Sequence, residues 1–88
     1  MKMEKIVKIL NETGLHARPA SLLVKAATPF SSDITIAFKD NEFNAKSIMS
    51  ILSAGLKKGD EIKVIAKGVD EEKAVEALVD LIHSKFGE

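Results

Sequence analysis

Two residues stand where their types and spacing suit chemistry on a phosphate: His16 and Arg18, in the run Gly14-Leu15-His16-Ala17-Arg18-Pro19. The stretch from Ala17 to Ala27 is rich in Ala and Leu. Ala20, Leu23, Val24 and Ala27 recur within it at spacings of three and four, which predicts an amphipathic helix. Proline is tolerated in the first turn of a helix and not in its middle, so Pro19 sets the helix start near His16, and Pro29 ends the helix. At a helix mouth the first backbone N–H groups, here those of Ala17 and Arg18, have no intrahelical acceptor and point outward, a seat for phosphate oxygens. The positive end of the helix dipole disfavours an imidazolium and leaves a ring nitrogen with a lone pair for attack. The Arg18 guanidinium can donate two hydrogen bonds to one phosphate, and Gly14 allows close approach of the chain. By residue type alone, His16 is also readable as a surface or capping histidine and Arg18 as a solvated charge. The spacing therefore narrows the site and leaves the reaction open.

A second feature begins at Ser47, a good N-cap for a short helix to about Ala54, with Gly55 placed for a left-handed C-terminal stop. Ile48, Met49, Ile51 and Leu52 are too many apolar residues for one buried stripe on two turns. Either all four reach the core, or Ile48, Met49 and Leu52 face water and, with Ala17 and Ala20, form a docking surface beside His16. Methionine suits a surface that accepts several differently shaped partners, since its side chain is flexible and polarisable.

The elements that must position these residues follow from hydrophobic periodicity. Lys5 to Leu10 reads as a strand, stopped by the turn formers Asn11-Glu12-Thr13-Gly14. From Asp33 to Lys39, Ile34, Ile36 and Phe38 alternate with polar or small residues. A turn at Asp40-Asn41 and a return strand from Glu42 to Asn44 complete a hairpin. After the polar turn Lys57-Lys58-Gly59-Asp60, Glu61 to Lys67 alternates again. Asp70 is the expected N-cap of a last helix that opens with Glu71-Glu72 and runs to Lys85 or Phe86. Its buried stripe is expected at Ala74, Val75, Leu78, Leu81 and Ile82. The order is β-α-β-β-α-β-α. Strands with one apolar face suit an antiparallel sheet covered by helices on one side, an α+β architecture.

Composition limits what such a fold does. Eighty-eight residues are expected to form one domain, 1–88, with too small a core for a deep internal active site. Thirteen basic residues balance thirteen acidic ones, which argues against nucleic acid or an anionic membrane as partner. The chain contains no cysteine, so disulfides and thiolate metal sites are excluded, and a reducing cytoplasm fits. No run approaches the length of a signal or membrane-spanning segment. No metal or other cofactor is expected. His83 is read as a surface or packing residue, and Lys25, Lys57 and Lys58 as solvated, with steering of acidic partners the alternative for Lys25.

The run Gly14-Leu15-His16-Ala17-Arg18-Pro19-Ala20, together with Lys46-Ser47-Ile48-Met49, resembles the HPr family, the histidine-containing phosphocarriers of the bacterial phosphoenolpyruvate-dependent sugar phosphotransferase system. The similarity extends over essentially the whole chain. It implies an open-faced β-sandwich, with a four-stranded antiparallel sheet and three helices on one face. It also implies that His16 accepts a phosphoryl group on Nδ1 from enzyme I and donates it to IIA domains of sugar permeases, with Arg18 assisting. Such a protein is a stoichiometric carrier and not an enzyme. In relatives from low-GC Gram-positive bacteria the serine matching Ser47 is phosphorylated by an ATP-dependent HPr kinase/phosphorylase. The modified form serves catabolite regulation, which adds a catabolite-control transcription regulator to the expected partners. A regulatory paralogue acting mainly through Ser47 is the alternative, and His16 argues against it. Ser50, where many relatives carry glycine, and Thr28-Pro29 depart from the family pattern.

Overall fold

Four strands form, β1 (Met3–Lys8), β2 (Asp33–Phe38), β3 (Asn41–Asn44) and β4 (Glu61–Lys67), with apolar residues alternating at period two in β2 and β4. Segments with helical periodicity form α1 (Ala17–Ala27), α2 (Ile48–Ser53) and α3 (Glu71–His83), in the expected order β-α-β-β-α-β-α. The computed structural model describes residues 2–87; residues 1 and 88, the ends of the expected domain, lie outside the described residues.

The strands form one sheet in the order β1-β4-β2-β3, and every neighbouring pair is antiparallel. The register pairs Val7 with Ile62, Ile34 with Ala66 and Ile36 with Val64, so period-two alternation puts these six on one face, where all are buried. There they meet Leu23 and Ala27 of α1, Ile51 of α2, and Leu78 and Ile82 of α3, all fully buried. α3 packs on β1 and β4 and against α1, while α2 packs against α1 and β3. The opposite face carries Ile6, Thr35, Ala37, Lys63 and Ile65, and among the described residues no helix packs over it, so the architecture is an open-faced α+β sandwich.

Several boundaries differ from the sequence expectation for identifiable reasons. β1 ends at Lys8, two residues before Leu10, because its partner β4 begins at Glu61; beyond that pair Ile9 turns into the core. The hairpin turn is Lys39-Asp40, not Asp40-Asn41, since Phe38 pairs with Asn41 and Lys39 takes the left-handed φ of +56°. α3 stops at His83 because Lys85 and Phe86 adopt φ of +58° and +55° in a short 3-10 turn, which brings Phe86 back into the core. Val79 is buried in α3 and Leu81 only half-buried. In α1, Pro19 is buried and Val24 half-buried. Asp70 stands at the start of α3 but its side chain does not cap the helix. Instead its carboxylate accepts hydrogen bonds from the Ser31 and Ser32 N–H groups and the Ser32 hydroxyl. These bonds hold the Asp70 carboxyl below the usual Asp range, the Ser32 hydroxyl contributing most.

Candidate functional site

The first turn of α1 is built around His16. His16 is the N-cap, in extended conformation at φ −82° and ψ −169°, and its carbonyl accepts the first intrahelical bond from Ala20 N at 2.9 Å. The N–H groups of Ala17 and Arg18 therefore precede the helical ladder, and Pro19 has none, so the turn offers two donors. Leu15 and Pro19 are buried on either side, whereas His16, Ala17 and Arg18 are exposed. The apolar neighbours hold the chain and leave these three residues to solvent.

The loop that delivers His16 is clamped from behind. Gly14, at φ +65°, lies so close to the segment after α2 that a Cβ there would stand 2.5 Å from the Leu56 carbonyl oxygen and 2.9 Å from Lys57 Cα. The next residue, Leu15, donates its N–H to that carbonyl at 3.0 Å. Ile9 N donates to Asp60 O and Gly59 N to Ile9 O, extending the pairing. At the rim Lys58 pairs with Glu12, and its hydrogen bond lowers the Glu12 carboxyl from the ordinary range. Lys58 is thus a partner of the His16 loop as well as a solvated charge.

α2 begins where expected. Ser47 is its N-cap, with Oγ accepting from Ser50 N at 3.2 Å. Ser50, the departure from the family pattern, accepts from Asn44 N at 2.9 Å through its own hydroxyl and so ties α2 to the end of β3. The four apolar residues of the helix divide: Ile51 is fully buried, while Ile48, Met49 and Leu52 remain 38%, 73% and 37% exposed. α2 itself packs on α1, and Leu56, which follows it, binds the His16 loop. One member of the expected docking surface is corrected: Ala20 is 0% exposed, packed in the core under α1. Its spacing of three from Leu23 already placed it on the inward stripe.

Elsewhere Lys25, Lys57 and His83 are exposed. Among the described residues no group of three or more His, Cys, Asp or Glu side chains is arranged to hold a metal ion. The sequence reading missed Asn11, which is 1% exposed and bonded to the His16 loop. In sequence it is simply one of four turn formers, and no periodic signal marks it as buried.

The family profile described as "PTS HPr component phosphorylation site" matches residues 3–84. The chain belongs to the HPr family. The solved structure of HPr-C-His from Thermoanaerobacter tengcongensis superposes with a TM-score of 0.95 at 53% identity, covering 98% of this chain and 97% of that one. The phosphocarrier protein HPr from Bacillus anthracis gives 0.86 at 40% identity, over 90% and 94% of the two chains. Crh, the Bacillus subtilis catabolite repression containing protein, gives 0.77 at 39% identity, over 90% and 91%. The protein is thus a phosphocarrier of the phosphotransferase system: it transfers a phosphoryl group through a histidine and is not an enzyme. Its partners are those of that system, enzyme I and IIA domains. Among the described residues no helix is long and apolar enough to cross a membrane.

Proposed function

We propose that His16 is the phosphoryl acceptor and Arg18 its charge-stabilising neighbour, and that residues 1–88 act as one phosphocarrier domain in the cytoplasm. The observation that carries this is the exposed position of His16 at the N-cap of the eleven-residue α1. The other histidine, His83, lies in the last turn of α3, where the helix dipole presents its negative end to a phosphate. In the transfer, His16 Nδ1 bonds to phosphorus as the bond to the enzyme I donor group breaks, and the reverse exchange passes the group to a IIA domain. The Ala17 and Arg18 N–H groups and the Arg18 guanidinium hold the phosphoryl oxygens. Two backbone donors and one arginine steady the group without trapping it, as a carrier requires.

Ile48, Met49 and Leu52, with Ala17, receive enzyme I and the IIA domains. Ser47 is the regulatory site, modified by an HPr kinase/phosphorylase, and the modified form engages a catabolite-control transcription regulator. What supports this is placement: Ser47 is half-buried, uses its hydroxyl oxygen as an acceptor, and directly precedes Ile48 and Met49. A phosphate there lies within the docking surface.

The test is incubation with phosphoenolpyruvate and enzyme I, followed by mass spectrometry before and after acid treatment. The parent and His83→Ala gain one acid-labile phosphate and His16→Ala gains none. Undiminished acid-labile labelling of His16→Ala overturns the assignment.

A further inference from the structure

We propose that Asn11 is a positioning residue for phosphoryl transfer: its side-chain amide locks the Gly14–Leu15 peptide in the orientation that presents His16 at the mouth of α1. The proposal rests on His16 being the acceptor.

Asn11 and Ser32 are the two buried polar residues among the described ones. Ser32 is satisfied by Asp70, but Asn11 is only half satisfied. Its Nδ2 donates to the Gly14 carbonyl at 2.7 Å, with a longer contact to Thr13 Oγ1 at 3.4 Å. Its Oδ1 is buried without a hydrogen-bond partner among the described residues. The amide can face only this way, because a carbonyl oxygen accepts and does not donate. A buried acceptor left unpaired destabilises a fold, and a leucine of similar size would remove this one at the cost of unpairing the Gly14 carbonyl, so the amide brings little net stability. Stability therefore does not explain an amide at this position; the bond it makes does.

That bond falls on a decisive peptide unit. The Gly14 carbonyl and the Leu15 N–H belong to one planar group. Asn11 Nδ2 holds its oxygen, and the Leu56 carbonyl accepts from its N–H at 3.0 Å. Gly14 N in turn donates to Asn11 O at 3.2 Å, closing the turn. With both ends held the plane cannot rotate, although it adjoins a glycine, where rotation meets least resistance. Leu15 is buried next to it, and the His16 carbonyl is taken by Ala20 N. The direction in which His16 leaves the chain is thus set by the bonds before and after it. Without the amide donor one end of the peptide is released, and a displacement of about 1 Å at the reacting atom slows transfer on the order of a hundredfold.

The test compares the parent with Asn11→Leu in phosphoryl acceptance from enzyme I, beside melting curves and amide NMR spectra. In Asn11→Leu, kcat falls about ten- to a hundredfold. The KM for enzyme I stays within about twofold, because the α2 surface is untouched. The melting temperature changes little, since one unpaired buried acceptor, Asn11 Oδ1, is exchanged for another, the Gly14 carbonyl. The amide resonances of Leu15, His16, Ala17 and Arg18 shift while those of α3 do not. If leucine does not fit and the variant fails to fold, Asn11→Ala, which demands no space, is read for kcat, KM and amide shifts well below its melting point, which the cavity it leaves lowers. A folded variant whose kcat lies within about twofold of the parent overturns the proposal. So does a rate loss carried by KM or accounted for by the unfolded fraction. His16 labelling of the parent is measured in the same assay: its absence removes the His16 assignment and the positioning role together, whereas a labelled parent with an equally fast variant removes the positioning role alone.

Discussion

Gly14→Ala and Gly55→Ala place the same methyl group at nearly the same backbone conformation, φ +65° and +62°, in opposite surroundings. At Gly55 nothing lies within 4 Å of the new Cβ, so the change costs only the left-handed conformation of an alanine, about 1–2 kcal/mol. At Gly14 the Cβ would stand 2.5 Å from the Leu56 carbonyl oxygen and 2.9 Å from Lys57 Cα, where ordinary contact begins at 3.4 Å. Both obstacles are backbone, so a side chain cannot swing away; the Leu56–Lys57 segment must retreat by about 0.9 Å, the difference between 3.4 and 2.5 Å. That movement stretches the Leu15 N–H bond to Leu56 beyond hydrogen-bonding range and leaves both groups poorly paired, adding about 1–3 kcal/mol. The totals are about 2–5 kcal/mol for Gly14→Ala against about 1–2 for Gly55→Ala. For a domain of this size they correspond to losses in melting temperature of about 8–40 °C and about 4–16 °C. Urea and thermal melts of both variants measure the difference. Phosphoryl acceptance well below the melting point then tests the functional link, with Gly14→Ala slower than its folded fraction explains and Gly55→Ala near the parent. If Gly14→Ala destabilises no more than Gly55→Ala, the close approach of the His16 loop to the Leu56 segment does not constrain the fold and the reasoning fails.

Three further outcomes are expected. Arg18→Ala slows phosphoryl exchange by roughly ten- to a thousandfold, the range for loss of one set of charge-stabilising donors, in rapid-quench transfer measurements; rates within about twofold of the parent would show that the guanidinium acts elsewhere. Ser47→Asp slows His16 phosphorylation by like-charge repulsion of incoming phosphorylated partners. Kinetics at low and high salt show the slowing shrink as salt rises, with melting curves little changed. The folded-state pKa of Asp70 is depressed, so its contribution to stability is fully present above the unfolded Asp value of about 3.9 and is lost as pH falls through the lower folded value. Asp70→Asn therefore lowers the melting temperature at neutral pH and removes part of the parent's decline in acid, and parallel pH-dependent melts that keep the same slope would contradict the Ser31–Ser32 clasp.

Local chemistry carried much of this protein into legible form. β4, α1 and the Ser47 cap lie where the sequence puts them, because alternation, the first-turn proline and a serine before an apolar run act through neighbours within a few residues. The setting of His16 is legible for the same reason, since a helix start and its N–H donors are local properties. Other features wait on partners remote in the chain. Asp70 reads as a helix cap until Ser32, 38 residues earlier, arrives to take its carboxylate. The choice of Ile51 over Met49 for burial depends on where α2 settles against α1. Asn11 reads as a turn former because periodicity registers apolar faces and is blind to one buried amide. The sequence alone determined the elements and the residue at the helix mouth. Only tertiary packing decided which side chains remain exposed beside it and which backbone groups, brought from Leu56 and Asn11, hold it in place, because burial and hydrogen-bond pairing are properties of neighbours in space.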